Sequence, residues 1–134
     1  MGDTRSEWYQ LRDAVERADF SAAATLLQHE PLLIDERNSI GETVLHFLAV
    51  ENCQPAVEWL HAHGADLNAM NKFGTPLLFE VALLGYQDLL LWLIAHGAHP
   101  NQTRPDGQRI EEFLAEFNKA ETIAFIKKHI VPDV

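Results

Sequence analysis

The sequence predicts an all-α fold: a solenoid of about four helix-turn-helix units with projecting turns, forming one domain over residues 1–134. Three observations carry this expectation. Gly41, Gly74 and Gly107 stand at one fixed spacing of 33 residues, and Asn38 and Asn71 share it. Trp59, Leu60, His63, Gly64, Ala65 and Asn68 return one period later as Trp92, Leu93, His96, Gly97, Ala98 and Asn101. Between these markers lie pairs of short segments with apolar residues at helical spacing. Neither segment of a pair can bury its apolar face alone, and self-similarity at this period marks stacked supersecondary units.

The elements follow in chain order. Residues 6–40 form an N-terminal capping unit: Leu11, Ala14 and Val15 lie on one helix, Ala24, Leu26 and Leu27 on a second, and the His-Gly-Ala signature is missing. Residues 41–73 form the first full repeat. "TVLHFLAVEN" places Val44, Leu45, Leu48 and Ala49 on one helical face. "PAVEWLHAHG" opens with proline, suited to a first helical turn, and ends in glycine, suited to the left-handed residue after a helix. Residues 74–106 repeat this plan. Residues 107–131 form the C-terminal cap, with Ile110, Phe113, Leu114 and Phe117 on one helix and Ile123, Phe125 and Ile126 on the next. Lys127, Lys128 and His129 sit in its last turn, where cations oppose the helix dipole. The terminal units need polar outer faces, since no neighbour covers them. Trp59 and Trp92 are expected in the stacked second-helix core, and Leu91 on the convex side.

The stretch "GETVLHFLAVENCQPAVEWLHAHGADLNA" resembles the ankyrin repeat, in which G-x-T-P-L-H opens the unit and G-A-D-x-N closes it. Thr43, Leu45, His46, Ala49, Val57, Leu60, Gly64, Ala65, Asp66 and Asn68 fall on that pattern. In the next unit Pro76, Leu78, Ala82, Leu90, Leu93, Gly97, Ala98 and Asn101 do so. There are departures. Val44 replaces the motif proline, Asn52 the glycine between helices, Phe79 the motif histidine and His99 the aspartate, and "TPLL" comes one residue early. The resemblance implies that His46 holds its turn together. It also implies a concave groove, lined by the first helices and the turn tips, that binds another protein.

Composition narrows the chemistry. The chain carries 20 acidic and 10 basic residues, a formal charge of -10. That balance argues against gripping a phosphate backbone, which needs clustered Lys and Arg. Cys53 is the single cysteine, which excludes an internal disulfide and points to a reducing, cytoplasmic setting. No apolar run approaches the roughly 18 residues of a membrane span, and no secretory signal is visible. Neither His61-Ala62-His63 nor the segment His96–His99 has metal-ligand spacing, because residues two apart on a helix point in different directions. Cys53 and His46 lack a third orienting group, Glu111, Glu112 and Glu116 read as a solvated helix face, and the glycines are isolated rather than gathered into a phosphate loop. No enzyme, metal or cofactor is therefore expected. "MGDTRS" fits the short Met-Gly-x-x-x-Ser acylation pattern at Gly2, with an unhelpful Asp3 beside the acceptor.

What remains is surface. Mapping the units onto the repeat places Phe47, Val50, Glu51, Glu80, Leu83, Leu84, Glu116 and Phe117 on the first helices of the groove, and Lys72, Phe73 and Arg104 on the turn tips. From Gly41 to Thr103 there are six acids, Glu42, Glu51, Glu58, Asp66, Glu80 and Asp88, against one base, Lys72. A monomeric module that binds a protein with a basic patch is expected, across a standard interface of roughly 800 Å² per partner. The alternative within the same fold is an immunity-type inhibitor that blocks a basic toxin or nuclease.

Overall fold

The computed structural model describes residues 4–130, with side chains from residue 6 onwards. Gly2 and Val131 lie outside the described residues. Eight α-helices are present among these: α1 (Thr4–Glu16), α2 (Phe20–His29), α3 (Val44–Val50), α4 (Gln54–Ala62), α5 (Leu77–Leu84), α6 (Gln87–Ala95), α7 (Ile110–Glu116) and α8 (Ala120–His129). A 3-10 turn, Pro31–Asp35, follows α2. Met70 and Pro76 make an isolated antiparallel bridge, and no longer strand occurs among the described residues.

Local chemistry explains where the helices start and stop. Asp19 caps α2 by accepting from the Ala22 N–H, and Thr43 caps α3 by accepting from the His46 N–H. Helix α5 begins 33 residues after α3, so the early "TP" does not slip the register. It places Pro76 at the cap position that Thr43 holds one unit earlier. The turn between the helices of each unit passes through one left-handed residue: Ala18, Asn52, Gly85 and Asn118, with φ of 60°, 60°, 79° and 58°. Around Asn52 the N–H of Asn52 reaches Ala49 O and that of Cys53 reaches Leu48 O, and the other three turns repeat this bonding.

Each second helix ends in a histidine. His29, His63, His96 and His129 place Nδ1 2.9, 2.8, 2.8 and 3.0 Å from the carbonyl oxygen four residues earlier. An Nδ1–H that donates there adds a side-chain hydrogen bond to a carbonyl of the last turns. At three of these ends the ring also lies against the aromatic side chain four residues earlier, with centroids 3.8 Å apart for Trp59–His63, 4.1 Å for Trp92–His96 and 4.2 Å for Phe125–His129.

The core runs unbroken through the units. Leu45, Leu48, Leu60, Leu77, Leu78, Phe79, Leu89, Leu90 and Leu93 are fully buried. Trp59 and Trp92 are only half-buried, which corrects the expectation that they fill the stack. The adjoining Leu60 and Leu93 take that place. The Trp59 ring instead lies flat on Phe20 of the preceding unit, with centroids 5.3 Å apart. It covers the seam between units from outside. The fully buried indole is Trp8, whose Nε1–H lies 3.1 Å from both Glu36 O and Glu42 O and locks the N-terminal unit onto the next.

Stacking is asymmetric. The first helices pack in sequence, α1 on α3, α3 on α5 and α5 on α7, while the second helices approach one another less closely. The closer row is the inner side of a curved stack.

Candidate functional site

Three turn tips project beside the inner row, and each is built the same way. Asn38 N–H donates to Glu42 O and Gly41 N–H to Asn38 O. Asn71 with Thr75 and Gly74, and Arg104 with Gln108 and Gly107, repeat the pair of bonds. Side chains tighten the tips. Asn38 Oδ1 accepts from the N–H groups of Ile40 and Glu42, and Asn71 Oδ1 from those of Phe73 and Thr75. The third tip has arginine at this position, and Asp106 Oδ1 accepts from the Gln108 N–H instead. Arg37 Nη1 donates to Gly41 O and across to Met70 O, tying the first tip to the second. Arg104 Nε donates to Thr75 Oγ1 at 3.0 Å, tying the second to the third.

The residues expected on the binding face divide into two groups. Glu51, Lys72, Phe73, Leu84, Glu116 and Phe117 are exposed. The large apolar side chains among them, Phe73, Leu84 and Phe117, keep 66%, 45% and 48% of their surface in solvent. Phe47, Val50, Glu80, Leu83 and Arg104 are half-buried. Phe47 packs edge-on against Trp8 and under the Arg12 guanidinium. Arg104 is tied to Thr75 and Gln108 and lies over the Phe113 ring. Glu116 Oε1 accepts from Gln108 Nε2 at 2.8 Å. Ile40, 50% exposed, was not among the expected residues. It stands 33 positions before Phe73, so the period alone contained the signal.

Glu80, from the second group, joins a cluster that the sequence reading did not assemble. Glu42 from the first tip, His46 from α3 and Glu80 from α5 bring one ligand atom each to within 4.8 Å of one another. The His46 side chain is fully buried, and its Nε2 lies 3.2 Å from Glu80 Oε2. The angles at that contact are wrong for a hydrogen bond, and neither ring nitrogen has a hydrogen-bond partner. It is best read as a close approach, which becomes an ion pair only when the ring carries two protons. The expectation that this histidine holds its turn is therefore corrected, because the Thr43 hydroxyl holds the α3 N-terminus. Glu80 Oε1 accepts from Asn71 Nδ2. Burial pushes the Glu42 carboxyl above the usual carboxylate range, nearby His46 opposes the shift, and Glu80 adds to it. The period could have flagged this cluster: Glu42 and His46 are four residues apart, and Glu80 is one period beyond Phe47, the residue after His46.

Elsewhere, a shallow depression of about 480 Å³ lies between α1 and α2, lined by Gln10, Asp13, Arg17, Thr25 and Leu26 among others. No helix among the described residues is long and apolar enough to cross a membrane.

A curved stack of paired helices with interlocked turns defines an α-helical repeat scaffold. The chain matches the family model for ankyrin repeats, in three copies, over residues 11–104. It belongs to the ankyrin-repeat family, whose repeats are generally protein–protein interaction modules rather than enzymes. No curated protein sequence matches the chain.

Proposed function

We propose that this chain binds a partner protein with a Lys- or Arg-rich surface, through the inner helix row and the turn tips. One observation supports the reading above the others. Exposed apolar side chains recur at equivalent positions of neighbouring units: Ile40 and Phe73 on successive tips, Leu84 and Phe117 at or just after the ends of α5 and α7. Equivalence in a stack sets such residues in a row. Apolar anchors flanked by charge suit a specific interface. The position equivalent to Leu84 in the unit before is the exposed Glu51, so acid and apolar contacts share one line. The excess of acid in the central units favours a basic partner, met in a cytoplasmic setting by a monomer of this chain.

The test begins with affinity capture at low salt, followed by binding measurements on the purified partner. Phe73→Ala and Leu84→Ala should each weaken binding about tenfold, as for an interface anchor worth 1 kcal/mol or more. Glu51→Lys should weaken it further and flatten its salt dependence. Glu80 is unsuited to charge reversal, because it is engaged with Asn71 and His46. Unchanged affinity in all three variants would remove this face from consideration. Loss of the captured partner's own activity on binding would identify the chain as an inhibitor of a basic enzyme.

A further inference from the structure

From the juxtaposition of Glu42, His46 and Glu80, we infer a divalent transition-metal site, suited to Zn²⁺, at the junction of the first tip, α3 and α5. Three features carry the assignment. The donor set is one imidazole and two carboxylates, a combination that suits Zn²⁺ with a fourth position left for water. The donors come from two repeat units and lie within 4.8 Å of one another. His46 is fully buried, its Nε2 faces Glu80, and neither ring nitrogen is engaged by a hydrogen bond. A buried polar atom in that state costs on the order of 1–3 kcal/mol, and a metal bond at Nε2 removes that cost for one of the two ring nitrogens.

The support around the donors fits the role. Asn71 Nδ2 donates to Glu80 Oε1, which orients the carboxylate and leaves Oε2 facing the ring. The backbone of Glu42 is pinned, since its carbonyl accepts from both Trp8 Nε1 and the Asn38 N–H. Tetrahedral ligands at zinc stand about 3.4 Å apart, given bonds of about 2.1 Å. The widest pair here must therefore close by a little over 1 Å, a movement within reach of the glutamate side chains. Two carboxylates held this close repel each other, and a dication between them removes the repulsion. Four of the other six histidines are poorer ligands: His63, His96, His29 and His129 each have Nδ1 against a helix-end carbonyl.

The full chain, stripped with chelator, is titrated with ZnCl₂ by calorimetry and with CoCl₂ by visible absorption. One equivalent should bind, and ring-nitrogen NMR should show the His46 signal moving at that same equivalent. Glu42→Gln and Glu80→Gln keep the side-chain shape, and each should weaken Zn²⁺ at least tenfold while the circular dichroism of the fold is unchanged. Absence of one-to-one binding at millimolar zinc overturns the site. So does binding that survives both glutamine variants but disappears in His61→Ala/His96→Ala.

Discussion

Trp8→Ala tests the architecture most directly. The indole has no exposed surface, and it packs edge-on against Phe47 with ring centroids 5.7 Å apart. Truncating a buried aromatic residue costs about 3–5 kcal/mol. Its Nε1–H also serves the carbonyls of Glu36 and Glu42, whose loss adds about 1 kcal/mol. The sum, about 4–6 kcal/mol, is comparable to the stability of a small domain. In a stack coupled only between neighbours the damage should stay local. Hydrogen exchange read by mass spectrometry should show α1, α2 and the 3-10 turn losing protection while α4, α5 and α6 retain most of theirs. Trp8→Phe keeps much of the packing and removes the N–H, and should cost about 1–2 kcal/mol. Trp59→Ala, at a half-buried seam, should cost less than Trp8→Ala. Uniform loss of protection along the chain, or a larger cost at Trp59, would refute both the nearest-neighbour coupling and the assignment of Trp8 as the locking residue.

Gly74→Ala places a Cβ 2.5 Å from Pro105 Cγ at a φ of +79°, whereas Gly107→Ala meets open space at +86°. Denaturant melts should give about 2–3 kcal/mol of destabilisation for the first and about 1 kcal/mol for the second. Ala18 carries a Cβ at a φ of 60° on an exposed turn, so Ala18→Gly should stabilise by about 0.5 kcal/mol, the relief of left-handed strain less the added chain entropy. Glu42 keeps its proton to higher pH in the folded chain than in the unfolded one, so it contributes stability below its ordinary value of 4.5 that is lost as pH rises through the raised folded value. With chelator present, Glu42→Gln should raise the melting temperature at neutral pH and lose that advantage in acid. A gain of the same size at every pH would contradict the assigned cause.

Much of the fold was legible because the repeat writes its backbone needs into residue types. Gly64 and Gly97 have φ of 98° and 117°, as a residue following a helix requires. The period that set Gly41, Gly74 and Gly107 apart also fixes three tips with matching hydrogen bonds. Burial was less legible. Trp59 and Leu60 are neighbours in sequence, and a rotation of about 100° around the helix separates core from seam. The pattern already named Leu60, and the expectation set Trp59 beside it in the core, whereas only Leu60 is fully buried. Trp8 was overlooked because the capping unit departs from the signature, and its partners are backbone carbonyls, which sequence cannot display. The exposure of the proposed binding residues was partly legible: Phe73, Leu84 and Phe117 are exposed, but Glu80 and Arg104 have intramolecular partners fixed by tertiary geometry. The Glu42, His46 and Glu80 cluster needs two units side by side before it exists.

The arginine ties between successive tips have a thermodynamic corollary. Three separate fingers would each surrender backbone freedom on meeting a ligand, at about 1–2 kcal/mol for every residue fixed. Here Arg37 and Arg104 make the row a single stiff bar, and that ordering is complete before any encounter. Such a bar favours ligands that already match its contour, and it holds little slack for those that do not.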